Sequence, residues 1–293
     1  MRRLRHYSAR DWARLRPLTQ AYKSTLYQLA DRRLSRRKAR GEAEALARLG
    51  RNPDLLLATI AFEAPWAIDW QLRAMKAFMP GPAHLVADNS RDAARAAEIE
   101  AVCARWQVPY LRLPPNPEHN PSRSHGMAMN WVFRHVVAPL APRRFGFLDH
   151  DLIPFQPTDI GAVLDTQPVY GQLQQREWGW YPWAGYCFFD LDRLGDRAFD
   201  FRPDWFYRLD TGGRNHRAFL GALDADEFRW ARLSRLDLVL DGSVVAADLL
   251  GIDGFFHIGN ASLYDRAGAS RIAMLERLST EDALAVIAHR SPR

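Results

Sequence analysis

Two carboxylates one residue apart, Asp149 and Asp151, stand at the end of the run Phe145-Gly-Phe-Leu-Asp149. Small and apolar residues without alternation are what a strand buried on both faces requires, as in the middle of a parallel sheet. Pro154 and Pro157 follow and are expected to end it. Ligands of open α/β sheets bind outside the carboxyl ends of the strands. Carboxylates at i and i+2, where the backbone leaves a strand, can both reach one divalent cation, and oxygen donors suit Mg²⁺ or Mn²⁺. The stretch therefore reads as a cradle for a metal and a diphosphate.

Spacing alone does not single it out. Asp-x-Asp occurs at Asp149/Asp151, Asp190/Asp192 and Asp224/Asp226, and 24 Asp in 293 residues give about two such pairs by chance. Context separates the first, because the second runs into a turn or helix start and the third lies in a polar, helical-looking segment. Trp178-Gly-Trp-Tyr-Pro-Trp183 packs four aromatics into six residues, and its Gly and Pro point to a loop. Such rings either fill a core or stack on sugar faces, and both readings stand. Asp210-Thr-Gly-Gly is either an ordinary turn or a close backbone approach to a ligand. His257, after Phe255-Phe256, gains meaning only if it returns to the Asp151 site.

The elements that must carry these residues begin at Pro53. Strands are expected over 54–62, 84–88 and 109–113, with helices over 65–79 and from 91 to about 106, the latter capped by Asn89 and Ser90. A Pro-, Asn- and His-rich loop over 114–124 leads to a helix over 126–137, and the next strand delivers Asp149. This alternation predicts an α/β protein with a parallel, doubly wound sheet. Beyond Pro157 it stops. Strands are expected over 169–173 and 183–189, and a closing helix over 280–289.

Length permits a real core, and 47% apolar with 25% charged residues is ordinary for a globular chain. Cys103 and Cys187 have no metal spacing and read as reduced core residues, in keeping with a cytoplasmic location. No apolar run is long enough to span a membrane, and the Arg-rich start lacks the apolar core of a signal peptide. Residues 1–51 hold fifteen Lys and Arg against four Asp and Glu, a net of +11; with +6 overall, the remainder carries −5. This basic leader looks helical, with Leu15, Leu18, Tyr22, Leu26 and Leu29 on one stripe. It could dock on the main domain, attach to an anionic membrane surface, or bind nucleic acid, for which no recognised motif is present.

Val86-Ala-Asp-Asn-Ser90, Phe147-Leu-Asp-His-Asp151 and His257-Ile-Gly-Asn260, in this order and spacing, resemble glycosyltransferases of the GT-A fold, most of all the bacterial family 2-type enzymes. The likeness covers roughly residues 54–264. It implies a Rossmann-like, mainly parallel sheet with helices on both faces, over 53–293, preceded by a basic helical extension over 1–52. Residues 53–157 would form the nucleotide-binding half and 158–293 the acceptor-binding half. It further implies a nucleotide-sugar site of Asp88, Asn89, Ser124, His125, Asn130 and Asp149, and a Mn²⁺ or Mg²⁺ held by Asp149, Asp151 and His257. Trp178, Trp180 and Trp183 would hold a saccharide or lipid-linked acceptor. The family's usual acidic base motif is not clear here; Asp210 is the best substitute, with Glu177 and Asp204 behind it. Two other classes compete: a nucleotidyltransferase on a similar sheet, and a non-catalytic domain with a basic leader.

Overall fold

The computed structural model describes Leu4, residues 7–240, 242–259 and 261, and then 273, 275, 276, 279 and 287–290. Asn260, residues 280–286 and the tail 291–293, for which expectations were stated, lie outside the described residues.

Strand β1 (Leu55–Ala61) is buried at every position. It pairs in parallel with β2 (Ala83–Asp88) on one side and β4 (Arg144–Asp149) on the other, and β2 pairs in parallel with β3 (Tyr110–Arg112). The sheet is completed by the antiparallel hairpin β6 (Val169–Arg176) and β7 (Gly179–Asp190), giving the order β3-β2-β1-β4-β7-β6. This is the α/β class and the Rossmann-like, mainly parallel sheet expected from the sequence.

Period-two alternation in β1 divides the core. Leu56, Ala58 and Ile60 face α6 (Pro121–Val132) and α2 (Arg16–Ser35), packing with Met127, Trp131, Tyr27 and Leu34. On the other side Ala61 meets α4 (Pro65–Phe78) and α5 (Ala93–Arg105) through Ile68, Leu72, Ile99 and Cys103. Helices therefore cover both faces, as the apolar runs of the strands require.

A second, antiparallel sheet, not foreseen from the sequence, has the order β11-β8-β9-β10-β5. It comprises β5 (Leu152–Pro154), β8 (Leu233–Leu240), β9 (Ser243–Ile252), β10 (Phe255–His257) and β11 (Ile287–Arg290). Its inner face packs on α4, with Trp70 edge-on to Phe256 at 5.3 Å between ring centroids. Part of the expected closing helix is thus β11, paired with β8.

Other expectations need correction. The Trp-rich run is strand rather than loop, because Trp180, Tyr181 and Pro182 pair with β6. Helix α6 starts at Pro121, with Asn120 capping the Arg123 N–H at 3.1 Å, so Ser124 and His125 are helical. It ends in a wider π-type turn over Phe133–Val137. Helix α5 is capped by Asp92 rather than Asn89 or Ser90. Pro154 lies within β5 instead of ending the previous strand.

The leader forms α1 (Ala9–Ala13), α2 and α3 (Glu42–Leu49). Helix α2 docks with Ser24, Tyr27, Asp31 and Leu34, and the five-residue stripe predicted to be its apolar face points to solvent.

Candidate active site

Strand β4 belongs to the first sheet and β5 to the second, so Asp149-His150-Asp151 is the tight turn that joins them. Strand β10 pairs with β5 in a register that sets His257 opposite Leu152. His257 is thereby brought to the turn: its Nε2 lies 3.2 Å from Asp151 Oδ1 and 4.0 Å from Asp149 Oδ2. Asp151 is buried, and its Oδ2 accepts the Ala261 N–H at 3.3 Å. Burial alone would raise its carboxyl pKa. The charge and hydrogen bond of His257, with His150 and the Ala261 N–H, outweigh that and hold it well below the usual carboxylate range.

Asp149, His150 and Asp151 offer ligand atoms all within 4.8 Å of one another. His150 Nε2 is buried and has no hydrogen-bond partner among the described residues. Two carboxylates, an imidazole within 4.0 Å of both and the buried His150 Nε2 form a donor set that fits a divalent cation.

The turn is held from behind by Gln71 of α4, which is fully buried. Its amide donates to the Asp149 carbonyl at 2.7 Å and the Leu152 carbonyl at 2.9 Å, one on each side of the turn. Its own oxygen accepts the Thr59 hydroxyl at 2.8 Å, and Thr59 meets His84 Nε2 at 3.0 Å. Burial pushes the His84 imidazole down to about 4, so it is neutral at pH 7 and donates Nε2–H to Thr59.

Trp183 of β7 closes the other side, its ring edge-on to His257 at 5.0 Å between centroids. Gly185, two residues on, makes this approach feasible: a Cβ there would lie 2.4 Å from the Trp183 ring and 2.8 Å from Asp149 Oδ2.

From Asp149 and Trp183 a cavity of about 640 Å³ opens at the carboxyl ends of β1 and β2. Its walls include Ile60, Phe62, Asn89, Ser124, His125, Asp210 and Thr211. Larger clefts of about 740 and 1030 Å³ lie elsewhere, but neither contains paired carboxylates with a histidine. Burial lowers the His125 pKa even though Asp149, Asp210 and Asp151 pull it up.

The cavity wall thus includes Asn89, Ser124, His125, Asp149, Trp183 and Asp210, with Asp151 and His257 gathered beside Asp149. Four expected site residues are not brought to it. Asp88 has both oxygens engaged, by the Ser90 N–H at 2.8 Å, the Tyr110 hydroxyl at 2.8 Å and Arg112 at 3.1 Å. Asn130 is buried behind α2, donating to Asp31 at 3.1 Å and Asp200 at 3.3 Å and accepting the Phe201 N–H at 2.8 Å. Trp180 is core, packed on Trp230 and Phe228, and Trp178 leans on the same cluster. Among the alternative bases, Asp204 is buried against Arg217 and Glu177 sits exposed outside the cavity walls. The other Asp-x-Asp pairs are helix and turn caps, Asp190 accepting the Arg193 N–H and Asp224 the Asp226 N–H.

Gln71, His150 and Gly185 were not anticipated, nor were Arg91 and Arg176, which also line the cavity. His150 lies inside the quoted motif, and its neighbours could have flagged it. Gln71 carries no local signal, because its role depends on α4 lying under the turn.

No protein-family model matches this chain, and no curated protein matches it. Among solved structures, it is similar to the mannosyltransferase PcManGT from Pyrobaculum calidifontis in complex with GDP-Man and Mn²⁺, at TM-score 0.37 and 10% identity over 61% of this chain and 56% of that one. It is similar also to the galactosyltransferase LgtC in complex with donor and acceptor sugar analogs, at TM-score 0.35 and 14% identity over 47% of this chain and 59% of that one. The matched region spans less than two thirds of either structure, and similarity this remote leaves the fold assignment to rest on the chain's own topology.

Proposed function

We propose that this chain is a metal-dependent glycosyltransferase that moves a sugar from a nucleotide-sugar donor to a saccharide or lipid-linked acceptor. The observation that carries the reading is that His257 of the second sheet brings its Nε2 within 4.0 Å of both Asp149 and Asp151, beside the cavity that Asp149 lines. In this reading Asp149, Asp151 and His257 hold the ion, with His150 as a further donor. A bound Mn²⁺ or Mg²⁺ would offset the charge that grows on the departing diphosphate. The imidazoles favour Mn²⁺ over the all-oxygen preference of Mg²⁺.

The chain's own groups do the rest. The nucleoside lies between the ends of β1 and β2 and the first turns of α6, where Asn89, Ser124 and a neutral His125 offer hydrogen bonds. Arg91 and Arg176 on the cavity wall bring positive charge toward the phosphates. The Trp183 face receives a sugar ring. Asp210, exposed on the same wall, takes the proton of the acceptor hydroxyl as its oxygen bonds to the anomeric carbon. The bond from that carbon to the diphosphate breaks, and its electron pair leaves with the nucleotide. The loop after β1 is Phe62-Glu-Ala64, which has neither the glycines nor the lysine a nucleotidyltransferase needs around a triphosphate.

Thermal unfolding against UDP-, GDP-, dTDP- and CMP-sugars, with and without Mn²⁺, tests the proposal. A ligand that binds only the native state raises the melting temperature. A rise for one nucleotide, dependent on Mn²⁺ and abolished in Asp151→Asn, is expected. A folded Asp151→Asn protein with full turnover would sink the reading.

A further inference from the structure

Helix α2 leaves a stripe of large apolar side chains uncovered on its outer side. Toward the body it presents Pro17, Ser24, Tyr27, Asp31 and Leu34. Toward solvent it presents Leu15, Leu18, Tyr22, Leu26 and Leu29, between 47% and 65% exposed. Steps of three and four residues set Leu18, Tyr22, Leu26 and Leu29 on a single stripe opposite the packed side, and Leu15, the residue before the helix, is exposed as well. Among the described residues nine large apolar side chains are exposed, and seven of them lie between Leu4 and Leu29. That is a patch, not the scatter of lone apolar residues on an ordinary surface. Leu15 also has a φ of 49°, a left-handed conformation disfavoured for leucine. Neither its backbone nor its exposure gives folding a use for leucine there.

Charge is sorted in the same way. Asp11 and Asp31, the only acids between Tyr7 and Gly41, are both buried. Asp31 is engaged by Arg134 at 3.0 Å and Arg202 at 3.8 Å, and Asp11 by Arg16 at 2.9 Å. Lys23, Arg32, Arg33 and Arg36 are exposed. Helical spacing sets Lys23 and Arg32 on the two flanks of the stripe and Arg33 along it. The outer face of α2 is therefore leucine bordered by cations, with no carboxylate.

We propose that this face, together with Trp12, docks on an anionic lipid surface, with α2 lying in the plane of the headgroups. Leucines reach the acyl boundary, Tyr22 and Trp12 sit at headgroup depth, and the cations meet lipid phosphates. A second copy is a poorer occupant, because a two-fold contact would set the same cations against each other. Nucleic acid would satisfy the cations but leave four leucines without a partner. No helix among the described residues is long and apolar enough to cross a membrane; the attachment proposed here is by the outer face of α2. The inner side of α2 rests on α6, where the Tyr27 hydroxyl donates to the Arg123 carbonyl. The next residues, Ser124 and His125, line the cavity. Adjacent helix axes lie about 10 Å apart, so docking holds the cavity close to the lipid. The docking itself does not depend on the reaction proposed above.

Flotation of the full-length protein with vesicles of phosphatidylcholine, alone or containing phosphatidylglycerol, is the test. Flotation with the anionic vesicles only, weakened by salt, is expected. Leu18→Gln with Leu26→Gln should lower vesicle affinity at least about tenfold without lowering the melting temperature, because both side chains are exposed. Arg32→Gln with Arg33→Gln should lower it as well. Absence of flotation, or flotation undiminished in both variants, overturns the proposal. So does a dimer in sedimentation that the leucine variant dissolves, which would assign the face to a second copy. Retention of duplex DNA lost in the arginine variant but not in the leucine variant would assign it to nucleic acid. None of these outcomes requires glycosyl transfer to occur.

Discussion

His257 Nε2 lies 3.2 Å from Asp151 Oδ1, a contact between the strand β10 and the turn that joins the two sheets. A buried carboxylate that loses its only cationic neighbour on the opposing strand is left poorly solvated. His257→Gln is therefore expected to lower stability by about 1–3 kcal/mol in chelator. It should also weaken Mn²⁺ binding by at least about tenfold. Urea unfolding and calorimetric titration with Mn²⁺ check the two effects separately. Unchanged metal affinity would remove His257 from the donor set.

Gln71 is expected to act as a positioning residue. Its amide fixes the Asp149 and Leu152 carbonyls at 2.7 and 2.9 Å without touching the cavity. Gln71→Leu should lower metal affinity by about 10–100-fold, the usual cost of losing a group that orients ligands. Gln71→Glu, which keeps the acceptor for Thr59 but loses the two donors, should show the same loss. A stability change in either variant with metal affinity intact would confine Gln71 to packing.

The two tryptophans of β7 should part company. Trp183 lines the cavity and Trp180 fills the core. Trp183→Ala is expected to raise KM for a sugar substrate at a stability cost below about 1 kcal/mol. Trp180→Ala should cost about 3–5 kcal/mol, as large aromatic deletions in cores do. Steady-state kinetics and urea denaturation distinguish them.

His84 predicts a specific pH dependence of stability. Its folded pKa is depressed to about 4, below the unfolded value of about 6.5. As pH falls through that window the unfolded chain binds the proton first, so stability is full above about 6.5 and is lost progressively toward 4. Replacing His84 by Gln should flatten this part of the profile. The difference between the two unfolding curves, measured from pH 7 to 4, isolates the histidine from other titrating groups.

Local pattern made much of the fold legible. The continuous apolar runs of β1, β2 and β4, and the helical spacing of α4 and α5, each encode burial within a few residues of sequence. The start of α6 was legible too, since Asn120-Pro121 is a cap followed by the favoured first-turn proline. The Pro- and Asn-rich loop before it hid that signal. Gly179 and Pro182 made the start of β7, over 179–182, read as a loop, because edge pairing with β6, which tolerates them, has no local mark; the strand expected over 183–189 is the rest of β7.

The sequence by itself determined the α/β class, the turn carrying Asp149 and Asp151, and the basic leader, all properties of neighbouring residues. Only the tertiary structure decided which distant groups join them. The β5–β10 register brings His257 to Asp151, α4 slides Gln71 beneath the turn, and α6 draws Asn130 inward to Asp31. It also decided which side of α2 is covered: the buried pairing of Asp31 with Arg134 and Arg202 turns the Asp31 side inward, leaving Leu18, Leu26 and Leu29 outside. Periodicity reports that a helix has two unlike faces. Which of them is buried depends on the partner, and the partner is chosen by contacts far apart in the chain.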